Sequence, residues 1–136
     1  MIGLDTNVLV RLIIEDDKAQ AALARTAVRN AVASGKRCFV SHVVLVEFAW
    51  VMESVFERTR PDICRFLDAI LDSEDLCVKD EDVVSAALDH YRTGSFDFAD
   101  ALIALGNHAR GCTTTLTFDR KAARLPEFQH LAQTSP

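Results

Sequence analysis

Four short β-prone runs recur along this chain, and much longer stretches with helical spacing separate them. That alternation limits the possible folds more than any other feature. The runs are Ile2-Gly3-Leu4, Cys38-Phe39-Val40-Ser41, Leu76-Cys77-Val78 and Thr113-Thr114-Thr115-Leu116-Thr117. After the first, Val8, Leu9, Leu12 and Ile13 fall on one face of a helix over about Thr6–Ile14. Glu15-Asp16-Asp17 offers an N-cap for a second helix, about Lys18–Ser34, with Ala19, Ala22, Leu23, Ala27 and Val28 at helical spacing and Gly35 as its stop. His42–Phe56 is apolar nearly all round and predicts a buried helix. Pro61 suits the first turn of the next helix, whose apolar positions are Ile63, Phe66, Leu67, Ile70 and Leu71.

Asp80 is placed to cap a helix over about Glu81–Tyr91, with Val84, Ala87 and Leu88 facing a core. A further helix runs from Asp97 to about Arg110, stopped by Gly111. Beyond the fourth strand, Arg120–Leu125 forms a short helical piece, Pro126 breaks it, Phe128–Leu131 adds an edge strand, and Gln133–Pro136 is expected to fray. Strands alternating with helices imply a parallel sheet, and right-handed crossovers put helices on both of its faces. The expected fold class is therefore α/β, a three-layer α/β/α arrangement with a mostly parallel central sheet. With 136 residues and neither repeat nor linker, a single domain over 1–136 is expected.

The net charge of −5 provides no global field to attract a polyanion, so binding nucleic acid by charge alone is excluded. Any such substrate needs metal ions or local basic groups; Arg11, Lys36, Arg37, Arg58, Arg60, Arg120, Lys121 and Arg124 are the candidates. Met1 leads straight into a strand without a basic leader, and no apolar run could span a bilayer, so a cytoplasmic chain without membrane attachment is expected. Cys38, Cys64, Cys77 and Cys112 lie singly in apolar surroundings and read as reduced, buried thiols. His42, His90, His108 and His130 lack metal-type spacing. Trp50 and Phe56 read as core or dimer contacts rather than base-stacking platforms.

The chemistry lies in the acids. Asp5 ends the first strand and Asp119 the fourth; in one parallel sheet both fall at the carboxyl edge, where ligands of open α/β sheets bind. Asp97 and Asp100 open a crossover helix whose N-terminus lies near that edge. Glu47 lies about one and a half turns into the helix after strand two. Buried in an apolar helix it would need a partner or a metal. Such carboxylates would repel one another unless cations bound between them, and an all-oxygen site suits Mg²⁺ or Mn²⁺. Each acid also has a local role open to it. Asp97-x-x-Asp100 resembles a capping box, Asp5 and Asp119 can each cap the helical segment next in the chain, and Glu47 can be a salt-bridged interior acid. Thr6 and Asn7 could position Asp5 or contact a phosphate. Ser41 and Thr117 are hydroxyls at strand ends that could donate to the acids.

Leu4-Asp5-Thr6-Asn7, Glu47 within an apolar helix, Phe98-Ala99-Asp100-Ala101-Leu102-Ile103-Ala104 and Thr117-Phe118-Asp119 together resemble the PIN-domain family, and within it the VapC-type toxins of bacterial toxin–antitoxin pairs. The resemblance covers essentially the whole chain and keeps the motif order. It implies a Mg²⁺-dependent ribonuclease with Asp5, Glu47, Asp100 and Asp119 as catalytic and metal-binding acids, Asp97 as a variable extra, and Thr6, Asn7 and Thr117 in support. It implies a homodimer, a small antitoxin that inserts into the acidic groove, and an RNA substrate such as tRNA, rRNA or mRNA. The rivals are a PIN-like module that binds protein or RNA without cutting, and a phosphatase with an aspartyl nucleophile. The latter usually needs a second Asp where this chain has Asn7. Dinucleotide binding is disfavoured because no Gly-rich turn follows the first strand.

Overall fold

A computed structural model describes residues 1–132; the expectation of a frayed end at Gln133–Pro136 lies outside the described residues. The elements are β1 (Ile2–Gly3), α1 (Thr6–Ile13), α2 (Lys18–Ala33), β2 (Cys38–Val40), α3 (His42–Ser54), α4 (Arg60–Asp72), β3 (Leu76–Val78), α5 (Glu81–Thr93), α6 (Phe98–Ala109), β4 (Thr115–Thr117), a 3-10 turn (Ala122–Arg124) and β5 (Phe128–His130). They fall into two compact units, Met1–Lys79 and the chain from Asp80 onward.

In the first unit β1, β2 and β3 form a parallel sheet in that order, with Ile2 opposite Cys38 and Cys38 opposite Leu76. Each crossover carries a helix pair, α1–α2 and then α3–α4. The core joins Leu9 and Val10 of α1, Leu45, Phe48 and Met52 of α3, Ile63, Leu67 and Ile70 of α4, and Cys38 and Val40 of β2, all essentially inaccessible. Three caps set the helix starts. Asp17 accepts from the Gln20 N–H, Ser41 from Val44 and Thr59 from Asp62, with Pro61 in the first turn of α4. Gly35, at φ +75°, turns the chain out of α2 in the left-handed conformation that a side chain would strain.

Two helices bury different faces from those expected. On α2 the buried residues are Ala21, Ala24 and Ala31, while Ala19, Ala22, Ala27 and Leu23 are exposed, Leu23 at 70%. Alanines on every face give this helix a period but no phase. The same ambiguity affects α3, which is not buried all round. Leu45, Phe48, Ala49 and Met52 face the core, and Val43, Trp50 and Glu47 face outward. Trp50 is therefore no core residue.

In the second unit α5 and α6 pack as an antiparallel pair through Val84, Ala87, Leu88 and Tyr91 against Phe98, Ala101, Leu102 and Ala104. The Tyr91 and Phe98 rings meet edge to face, 6.0 Å between centroids. Asp80 sits at the N-terminus of α5 at φ +45° and makes no side-chain cap, contrary to expectation. Gly111, at φ +99°, lies just beyond the end of α6. β4 and β5 pair in parallel as a second sheet, Thr115 opposite Phe128 and Thr117 opposite His130, so β4 is not hydrogen-bonded into the β1–β3 sheet and, contrary to expectation, Asp5 and Asp119 do not end strands of one sheet. Buried Ala122 and Leu125 of the intervening turn anchor the crossover.

Candidate functional site

In the first unit Thr6 is the organising residue. It is the one buried polar side chain among the described residues, 5% exposed, and both of its donors go to acids. Its backbone N–H donates to Asp5 Oδ1 at 2.8 Å, and its hydroxyl donates to Glu47 Oε2 at 3.3 Å. Asp5 is the N-cap of α1, in the extended conformation that position requires. It caps the first helical N–H, which holds the carboxylate at the mouth of the helix. Glu47 is exposed. The expected buried acid is instead a surface acid on the outward face of α3, steadied by Thr6 from 41 residues away in sequence.

Asn7, the other expected supporter of Asp5, is exposed. It lines a groove of about 360 Å³ between α1 and α2 with Val8, Arg11, Gln20, Leu23, Ala24 and Ala27. Ser41 is committed to capping α3.

In the second unit the acids are held differently. Asp97 occupies the N-cap position of α6 at φ −75°, ψ 155°, yet its carboxylate caps nothing. Its backbone N–H instead serves the Asp100 carboxylate, so the expected capping box is half built. Asp100 is half-buried. Burial pushes its carboxyl above the usual carboxylate range, and the negative charges of Asp97 and Asp119 push it further. The Asp97 N–H and the Lys121 ammonium pull the other way.

Asp119 Oδ1 accepts from the N–H groups of Lys121 (2.8 Å) and Ala122 (3.3 Å), so it does cap the adjoining 3-10 turn. The Thr117 hydroxyl supports Asp119 as an acceptor for its N–H at 3.0 Å, not as the donor expected. Sequence reasoning missed two features here. Lys121, expected only as a phosphate contact, acts electrostatically on Asp100, and Phe118, beside Asp119, is 78% exposed. The Thr-Phe-Asp triplet at the end of a strand was the available signal for the second.

Several basic candidates are already engaged. Arg11 bonds Gln20 and Asp16, Arg37 bonds the Leu76 carbonyl, and Arg124 bonds Ser95. Lys36, Arg58, Arg120 and Lys121 project from the surface. His42 and His130 donate to the Lys79 and Phe118 carbonyls, which gives each a structural role. All four cysteines are free; Cys38 and Cys64 are buried, whereas Cys112 is exposed, against expectation. Burial, with Asp75 nearby, raises the Cys38 thiol above its ordinary value.

Among the described residues no three His, Cys, Asp or Glu side chains stand close enough together to hold a metal ion. The donor chemistry nevertheless fits a hard divalent cation, since carboxylate oxygens are the ligands it prefers. Asp100 gives the electrostatic sign of such a fit, because a cation would offset both the burial that chiefly raises its carboxyl and the repulsion from Asp97 and Asp119 that adds to it.

Residues 2–127 match the family model for the PIN domain. The chain belongs to the PIN domain family. No curated protein and no solved structure matches the chain significantly. PIN domains are three-layer α/β/α folds, the class expected from the strand–helix alternation, and the parallel three-stranded sheet and six helices accord with it. PIN domains are generally nucleases, usually with divalent metals, so a nucleic acid is the class of substrate this PIN domain suggests. No helix among its described residues is long and apolar enough to cross a membrane.

Proposed function

We propose that this PIN domain is a Mg²⁺-dependent endoribonuclease and the toxin of a VapBC-type pair. The observation that carries the reading is Thr6, a buried threonine whose two donors steady two acids from different helices. A merely structural cap at Asp5 would not require the hydroxyl of the next residue to reach Glu47.

Asp5, Glu47, Asp100 and Asp119 are the residues we assign to holding the metal, with Asp97 as an optional fifth acid. When bound, the divalent ion supplies charge neutralisation at the phosphodiester and a water of lowered pKa. The chain's own part is positional. Thr6 fixes the rotamers of Asp5 and Glu47; Thr117 and the turn N–H groups fix Asp119; the Asp97 N–H aims Asp100. Lys121 offsets part of the acid repulsion, and Arg120, Lys36 and Arg58 are free to meet phosphates. RNA (tRNA, rRNA or mRNA) is the substrate class we assign, with action in the cytoplasm.

Exposed apolar surface supports the assigned partners. Val43 and Trp50, 66% and 63% exposed on the outward side of α3, and Val55 just past its end at 60%, are exposed apolar side chains for a homodimer contact. The α1–α2 groove beside Asp5, with Leu23 on its wall, offers a small antitoxin a docking place.

The purified chain should cleave RNA with Mg²⁺ or Mn²⁺ and stop when EDTA is added. Metal-independent cleavage would overturn the reading. Tight RNA binding with no cleavage under any divalent ion would favour the non-catalytic module, and an aspartyl-phosphate trapped on Asp5 would favour the phosphatase.

A further inference from the structure

Phe118 is the most exposed large apolar side chain among the described residues, at 78%, and it immediately precedes Asp119. An exposed aromatic ring is ordinary on a floppy loop, where it can fold back onto apolar surface. Here the backbone on either side is pinned. The Phe118 carbonyl accepts from His130 Nε2 at 3.1 Å, and the next N–H, that of Asp119, donates to the Thr117 hydroxyl at 3.0 Å. The Thr117 carbonyl accepts from Leu131, which closes the β4–β5 ladder one residue before the ring. Asp119 in turn caps the 3-10 turn beyond it. The ring is therefore presented outward from a rigid corner.

The surrounding charge selects the occupant. Asp119, Arg120 and Lys121 follow Phe118 directly, so two cations stand next in the chain to the ring and the acid, in a chain of net charge −5. Arg120 and Lys121 are exposed. An aromatic face flanked by cations is the combination that holds single-stranded nucleic acid, since every base has a face to stack and every phosphate needs a counter-charge. The exposed apolar neighbour on β4 is Leu116, 58% exposed, and a protein-docking ring would more usually sit in a wider apolar patch than such a pair.

We infer that Phe118 is a base-stacking residue, which holds an unpaired nucleobase so that the adjoining phosphodiester lies beside Asp119. The inference rests on the nuclease reading and adds a substrate requirement: the RNA must be single-stranded, or unpaired in a loop, at that position.

The test uses the full-length chain and a fluorescein-labelled single-stranded RNA of mixed sequence. Phe118→Ala should raise KM and Kd about 5- to 100-fold, the usual range for losing one stacked base, with kcat much less affected. Phe118→Trp should retain tight binding. In a Trp50→Phe background, the emission of the introduced indole should be quenched by this RNA but not by inorganic polyphosphate. Unchanged KM and Kd in Phe118→Ala overturn the inference. So does failure of the parent chain to bind the probe, or a change in solution mass on substitution, which would make the ring a protein contact. The nuclease reading fails separately: it falls if Asp100→Asn cleaves like the parent chain, whatever Phe118 does.

Discussion

The two acid groups are held differently. In the first unit one buried threonine reaches both acids, Glu47 through its hydroxyl and Asp5 through its backbone N–H. In the second, backbone N–H groups hold Asp100 and Asp119, and burial, with repulsion from Asp97 and Asp119, raises the Asp100 carboxyl. A side-chain brace can be removed by one substitution without disturbing the fold. A backbone brace cannot, but the acids it holds carry electrostatic strain that substitution relieves. The first group should therefore show its importance as lost activity, and the second as lost activity with gained stability.

The largest effect should come from Glu47→Gln, which keeps the shape and removes the charge. RNA cleavage should fall by more than the roughly 100-fold that marks the upper range for a supporting residue. Because Glu47 is exposed, the thermal midpoint should stay within about a degree. Thr6→Val should come next. It keeps volume and the N–H to Asp5 but loses the hydroxyl, and metal affinity or activity should fall by about 10- to 100-fold. Thr6→Ser should restore most of it. Equal activity in the Val and Ser variants would mean that the brace does not matter.

Asp119→Ala should cost about 1 kcal/mol of stability by urea denaturation in addition to activity, because it uncaps the turn. Asp119→Asn should lose activity while keeping that stability. The smallest effect on stability is that of Asp100→Asn, which should also lose cleavage. A carboxyl raised in the folded state binds its proton more tightly there than in the unfolded chain. Its ionised form is therefore destabilising above the folded value, and the penalty disappears as pH falls below the unfolded value. At neutral pH Asp100→Asn should gain stability, by an amount that solvent screening keeps small. The gain should vanish in acid. A loss of stability at neutral pH would show that the Asp97 N–H outweighs the repulsion.

The helices were legible in the sequence from their spacing, and at α2 from its cap, since Asp17 accepts the Gln20 N–H; the caps at Ser41 and Thr59 were not read there, and the one expected at Asp80 is not made. Which face each helix buries was not legible. In α2 the alanines fall on all sides, so only packing decides that Ala21, Ala24 and Ala31 go inward and Leu23 outward. In α3 the surplus of valines hid the same choice and made exposed Glu47 look buried. Among the site residues, Thr6 was legible as a neighbour of Asp5, but its reach to Glu47 depends on how α1 and α3 pack, which no spacing encodes. Asp97 looked like a cap by position, but its carboxylate makes no capping bond and its N–H goes to Asp100. Residue type and an extended backbone like that of Ser41 and Thr59 both promise the bond, and the Asp97 side chain still does not make it.

The most direct measurement is Mg²⁺-dependent RNA cleavage by Asp5→Asn beside the parent chain, with thermal melting followed on the same samples. Asn caps a helix about as well as Asp, so melting should be unchanged. It carries no charge for a cation, so cleavage should be lost at every Mg²⁺ concentration. Parent-like cleavage by Asp5→Asn would reduce Asp5 to a helix cap and contradict the metal-site account.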